Sequence, residues 1–467
     1  MNTHTRRVFL KQAGKGLLGT SAAFAGLAAT PAVAFSGDYR ALICIFLKGG
    51  LDHADTLLPY DEPGYALLRQ ARPSLMASYG VSGSRSRSAL LPLNPSNQSR
   101  FGSRRFALPP QLAGLKDLFE AGDLAIVGNV GPLLAPTDRN SFEAESVALP
   151  ARLFSHNDQQ STWQALDVEG AQLGWGGRFV DAAVRGNPAL NPKYAAITTG
   201  ELDVFLASQS TRQFSAAAGG SQRDLNMVAI DYLLESEPRR AALREAIVAF
   251  YQRSEFGHRA FMKRDYAQIS AQGIRNVRDY IAATVDQNLE FPQTTLGAQL
   301  KTIANAMAAN QALGTPRQVF YATLGGFDTH SAQSSQLPIL QQELADALVA
   351  FQRALQALGL WQNTTVFTGS DFGRTVIDNG DGTDHGWGGH HFVAGGAVRG
   401  RRIYGSVPSA DLGSASYTSR SGRLIPSVAI EQYAGTLGRW FGLTPQDLDG
   451  ALPNRRRFGP TDLGFLS

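Results

Sequence analysis

The sequence predicts an α/β protein, a mostly parallel sheet flanked by helices. Three observations carry this. Short, β-rich apolar runs close on glycines, helical patterns separate them, and Asp and His residues gather just after several of the runs.

The first run, residues 41–47, is continuously apolar and ends in Lys48-Gly49-Gly50, as a strand buried on both faces should. Residues 124–128, 319–324 and 364–368 read the same way, and a shorter run at 391–394 precedes Gly395-Gly396. Helical patterns cover 111–121 and 337–358, the latter with apolar residues at helical spacing. Two stretches break the alternation. Residues 70–110 are rich in Ser, Arg, Pro and Asn and are expected to form a loop insertion. Residues 224–312 carry helical periodicity with hardly any strand signal, so a helical insertion or cap is expected there.

The 467 residues include 43 Lys+Arg and 39 Asp+Glu, a formal +4. Hydrophobic content of 43% against 18% charged provides for a full core and excludes a disordered chain. The excess charge is local. Residues 1–34 hold Arg6, Arg7, Lys11 and Lys15 and no acid, so the rest of the chain carries as many acids as bases. That balance gives no reason to expect nucleic acid as a partner. Thr5-Arg6-Arg7-Val8-Phe9-Leu10-Lys11, a mildly apolar stretch and Ala32-Val33-Ala34 together predict a twin-arginine signal peptide over 1–34. The expectation is therefore a partnership with the twin-arginine export machinery and a periplasmic or secreted domain over 35–467. No stable membrane insertion is expected after cleavage. The lone Cys44 excludes an intramolecular disulfide and any multi-cysteine metal site.

In an open parallel sheet, ligands bind beyond the carboxyl ends of the strands. The residues there are Gly49-Gly50-Leu51-Asp52-His53-Ala54-Asp55, Gly325-Gly326-Phe327-Asp328-Thr329-His330 and Gly369-Ser370-Asp371-Phe372-Gly373-Arg374. A further loop carries Asp384-His385-Gly386 and leads to His390-His391. Carboxylate with imidazole is a donor set suited to zinc, manganese or iron. His390 and His391 face opposite ways if they begin a strand, so at most one joins a site. Residues 378–384 form an acidic turn whose spacing does not fit a calcium loop. Ser155-His156-Asn157-Asp158 precedes a helical pattern, where Ser155 and His156 can serve as nucleophile or substrate contact, or simply as a helix cap. Arg374 can pair with an anionic substrate or brace a neighbouring carboxylate.

Several segments together resemble the domain-of-unknown-function family 1501, placed in the alkaline-phosphatase/sulfatase superfamily. They are F-L-K-G-G-L-D from Phe46, L-K-D-L-F-E-A-G-D-L-A-I-V from Leu115 and F-S-H-N-D-Q-Q-S-T-W from Phe154. They continue with L-G-G-F-D-T-H from Leu324, S-D-F-G-R-T from Ser370, G-T-D-H-G from Gly382 and I-E-Q-Y-A-G-T-L-G-R-W-F-G-L from Ile430. The resemblance implies an alkaline-phosphatase-like fold and one or more divalent metal ions, zinc or manganese. It also implies a small-molecule anionic substrate, a phosphate or sulfate ester. Carried over residue by residue, it implies Asp52, Asp328, His330, Asp371 and His385 as metal ligands. Ser155, His156 and Arg374 are then the catalytic candidates, with Asp55 behind them. Phe372 stands where superfamily enzymes often carry a histidine, and no sulfatase-type nucleophile motif is evident. A non-catalytic binding module of the same fold is the alternative.

Overall fold

The computed structural model describes residues 39–80, 82–218 and 261–467, with six further positions between 242 and 250. The expected signal peptide lies outside the described residues.

Among the described residues, nine strands form the central sheet: β1 (Arg40–Leu47), β2 (Leu124–Gly131), β3 (Ala196–Thr198), β4 (Phe214–Ser215), β5 (Arg317–Leu324), β6 (Thr364–Ser370), β7 (Gly389–Ala394), β8 (Ile403–Gly405) and β9 (Val428–Ala429). Their order is β8-β2-β7-β6-β1-β5-β3-β4, with β9 also pairing β2. β1 runs parallel to both β5 and β6, while β7 is antiparallel to both of its neighbours, β2 and β6. The mostly parallel sheet flanked by helices is therefore the observed fold class.

Both faces of β1 are covered, which explains its unbroken apolar run. Ile43, Ile45 and Leu47 join a core shared with Leu115, Leu300, Leu344 and Phe351, from helices Ala113–Ala121, Thr295–Ala308 and Gln333–Ala357. Leu42, Cys44 and Phe46 turn the other way, onto Trp163, Trp175, Phe179 and Tyr433. Those rings come from helices His156–Ala165, Trp175–Gly186 and Ile430–Phe441. Cys44 is buried within this second core.

Two expectations need revision. Residues 70–110 are more than a loop: they include a helix, Pro73–Tyr79, and strands Leu91–Pro92 and Phe106–Leu108. With Leu58–Pro59 these strands make a small antiparallel sheet, so the Ser/Pro-rich composition conceals an ordered layer. Across 224–312, the described helices are Phe261–Ala283, Thr295–Ala308 and Asn310–Leu313; most of its first part lies outside the described residues. No described helix is long and apolar enough to cross a membrane.

Candidate metal centre

The carboxyl ends of β1, β5 and β6 meet at one edge, and β7 enters the sheet from that edge. Gly49 makes a close backbone approach there. Its φ is +115°, and a Cβ on it would lie 2.3 Å from the backbone nitrogen of Asp328. Only glycine tolerates both conditions. Its N–H donates to Asp371 Oδ1 at 3.1 Å, and its carbonyl accepts from Arg374 Nη1 at 3.0 Å. A hairpin, Arg374–Asp378 against Thr383–His385, pairs Arg374 directly with His385.

Asp328 Oδ1 is the point on which the imidazoles converge. His156 Nε2 and His385 Nε2 each lie 3.4 Å from it, and His330 Nε2 lies 3.2 Å away. The donor atoms of His156, Asp328 and His385 all fall within 4.8 Å of one another. His330 Nε2 is also 2.8 Å from His385 Nε2, an approach at which two lone pairs repel unless a proton or a cation lies between them. Donors bound tetrahedrally at about 2.0–2.1 Å sit roughly 3.3 Å apart, which the three separations from Asp328 Oδ1 match.

Each imidazole is held by its other nitrogen. His156 Nδ1 lies 2.6 Å from Asp371 Oδ2, and His330 Nδ1 lies 3.2 Å from Asp384 Oδ1. His385 Nδ1 faces the Phe154 carbonyl at 2.8 Å. These oxygens only accept, so each Nδ1 carries the proton and each Nε2 keeps a free lone pair on the side of Asp328. This is the outer arrangement expected around metal-bound histidine. His156 Nε2 is a buried atom with no hydrogen-bond partner, which fits a ligand position.

Charge is arranged accordingly. Burial alone would raise the Asp328 carboxyl, but Arg374, donating from Nη1 at 2.7 Å, outweighs it and holds the group below its usual value. Burial lowers His385, opposed by the Phe154 carbonyl and assisted by its positive neighbours. The Asp371 hydrogen bond raises His156 against the effect of burial.

The sequence-expected residues are thus partly brought together and partly reassigned. Asp328, His330 and His385 meet as expected. Asp52 does not join them. Its buried carboxylate accepts from Arg72 Nη1 and Nη2 at 2.7 and 2.9 Å, from Gln333 at 2.7 Å and from the amides of Ala54 and Asp55. With its acceptors occupied, it braces the loop. Asp55 is similarly engaged by Arg85, Tyr79 and Gln333. Asp371 stands behind His156, its oxygens taken by Gly49 N–H, His156 and Gln160. Arg374 is fully buried and bonded to Asp328, Gly49 and Thr383, so it positions Asp328 instead of reaching substrate. Ser155 Oγ donates to Asp158 at 2.9 Å.

His156, expected as a nucleophile or substrate contact, lies instead among the candidate donor atoms. Nothing in the local sequence marked it as such, because its partners lie more than 170 residues away in the chain. Phe372 packs its ring 4.8 Å from His156 and 4.7 Å from His385, closing the side where a further imidazole was expected. In the acidic turn, Asp378 and Asp381 accept from the amides of Leu75 and Ala332, so their carboxylates serve loop packing.

No curated protein matches the chain. Among solved structures, it is similar to the PsFucS1 sulfatase from Pseudoalteromonas sp., with 9% identity over 92% of this chain and 73% of that one, at a TM-score of 0.36. It is also similar to the lipoteichoic acid synthase LtaP from Listeria monocytogenes, with 8% identity over 86% of this chain and 78% of that one, at a TM-score of 0.30. The family described as protein of unknown function, DUF1501, matches residues 39–422, and the chain belongs to that family.

Proposed function

We propose that this protein is an exported, metal-dependent hydrolase of phosphate or sulfate esters. The observation that carries the metal is the convergence of His156, His330 and His385 on Asp328, each ring oriented from behind. Three imidazoles and a carboxylate suit zinc or manganese. The class of ester comes from the superfamily resemblance. A divalent ion there would supply Lewis-acid polarisation of an ester oxygen. The chain's own contribution is to hold that place. Arg374 keeps Asp328 ionised, Asp371 and Asp384 keep Nε2 of their histidines free, and Phe372 excludes water from one side. The twin-arginine leader would export the domain already folded and loaded.

One feature favours the alternative, a binding module without turnover. Ser155 and Thr329, the hydroxyls adjacent in sequence to the donors, are bonded to Asp158 and Gln333. A single experiment separates the two. The protein, purified after native export, is subjected to elemental analysis and assayed on aryl phosphates, phosphodiesters and aryl sulfates before and after chelation. Stoichiometric zinc or manganese with chelator-sensitive, metal-restored turnover is the expected result. Metal without turnover would select the binding module, and absence of both would overturn the metal-dependent reading.

A further inference from the structure

An anionic ester needs a cation to receive it, and the cations near the centre are mostly engaged. Arg374 is buried and bonded on Asp328, Gly49 and Thr383. Lys48, at the end of β1, is held by Glu201 at 2.5 Å and Asp203 at 2.9 Å. Arg152 pairs with Asp158 at 3.4 Å, its side chain largely in solvent. Arg72 is committed to Asp52.

Arg423 is different. It is half-buried, and its Nε donates to the carbonyl of His385 at 2.8 Å. Its guanidinium carbon stands 3.9 Å over the ring of Phe154, a cation–π stack. Among the described residues no carboxylate lies within ion-pair distance of it, and neither Nη1 nor Nη2 has a hydrogen-bond partner. Its anchors belong to the centre itself. His385 is a donor, and Phe154 lies two residues before His156 and accepts from His385 Nδ1. Phe154 also has a φ of +75°, a strained conformation for a bulky side chain. That conformation accompanies its two contacts, the ring beneath Arg423 and the carbonyl toward His385. Such strain persists where the surrounding structure imposes it, and it clusters at functional sites.

We propose that Arg423 is the oxyanion-recognising arm of this site, its two terminal nitrogens offered as a fork to a sulfate or phosphate group. The inference rests on the ester-hydrolase reading for its substrate class, while its geometry is independent of turnover. A planar fork fits two oxygens of a tetrahedral anion, and a lysine ammonium does not reproduce it.

The test uses the full exported chain and compares wild type with Arg423→Ala, Arg423→Lys and Phe154→Leu. Isothermal titration with inorganic phosphate and, separately, with sulfate reads anion binding and tells the two chemistries apart. Elemental analysis reads metal content, and thermal melting reads the fold. The expected result is a loss of at least about tenfold in anion affinity for Arg423→Ala, a charge-assisted fork being lost. Arg423→Lys should recover only part of it, and Phe154→Leu should weaken binding less than Arg423→Ala. Metal content and melting should stay near wild type for Arg423→Lys, so a folding defect in the alanine variant would leave the lysine variant to decide. Anion affinity unchanged in Arg423→Lys and Arg423→Ala, or no binding of either anion by wild type, overturns the proposal. If the wild type carries metal but its anion binding ignores Arg423, this inference fails and the hydrolase reading stands. If anion binding depends on Arg423 in a protein without metal or turnover, the hydrolase reading fails and this inference stands.

Discussion

Nδ1 of His156 lies 2.6 Å from Oδ2 of Asp371, and this contact decides which nitrogen of the ring faces Asp328. A carboxylate can only accept, so the proton stays on Nδ1. An amide at the same place could donate instead and favour the other tautomer. Asp371→Asn should therefore weaken metal affinity by roughly 10–100-fold, the usual effect of losing an outer partner of a ligating histidine. Competition with a chromogenic chelator measures this directly. Affinity equal to wild type would show that Asp371 does not orient a ligand.

Gly49 offers a second way to disturb the centre without touching a donor. A methyl group at this position would collide with the backbone of Phe327 and Asp328, at 2.7 and 2.3 Å. The φ of +115° adds strain of about 1–3 kcal/mol for any other residue. Gly49→Ala should lower both the melting temperature and the metal affinity, because the segment that must move carries Asp328. A variant that melts lower yet binds metal normally would separate loop packing from the centre.

Much of this arrangement was legible in the sequence. Unbroken apolar runs such as 41–47 mark strands covered on both faces, and the observed sheet has β1 in its middle. His385 was legible through the G-T-D-H-G resemblance, and Asp328 and His330 because the topology of a parallel sheet delivers strand ends to one edge. Asp52 misled for the same reason. It occupies an expected position, but Arg72, 20 residues further on, folds back and claims the carboxylate. His156 was legible as a candidate beside a helix start but not as one of the converging donors, and Arg423 was not legible at all, because neither follows a parallel strand. One opens a helix and the other sits in a loop, and each acquires its role from partners distant in sequence.

The Asp52–Arg72 pair yields a prediction about stability. Both side chains are buried, and Arg72 also bonds the carbonyls of Val376 and Thr375. Removing one partner of such a pair strands the other charge and costs about 3–5 kcal/mol. Asp52→Ala should lose stability on that scale, while Asp52→Asn, if folded, should keep its full metal content. Burial works against ionisation of Asp52, yet Arg72 holds its carboxyl below the ordinary value. The contribution of this pair is therefore complete above the unfolded pKa of about 3.9 and is lost as pH falls through the lower folded value. Urea unfolding with parallel metal analysis reads both outcomes. Loss of metal from a well-folded Asp52→Asn would return Asp52 to the ligand set.

Glu431 predicts the opposite pH trend. It lies in the first turn of the helix Ile430–Phe441 and is 2% exposed. Burial pushes its carboxyl up to about 7, with a hydrogen bond from Asn454 working against the shift. Between the ordinary value near 4.5 and about 7, the folded chain keeps this proton while the unfolded chain releases it. Folding then binds more protons than unfolding does, so stability falls as pH rises through that window and levels off above it. The fall in stability amounts to roughly 3 kcal/mol. Glu431→Gln cannot ionise and should lack this component. Urea midpoints at pH 5 and pH 8 should therefore differ less in the variant than in wild type. Identical pH dependence in the two proteins would mean that Glu431 is hydrated in the folded state and that its burial imposes no such shift.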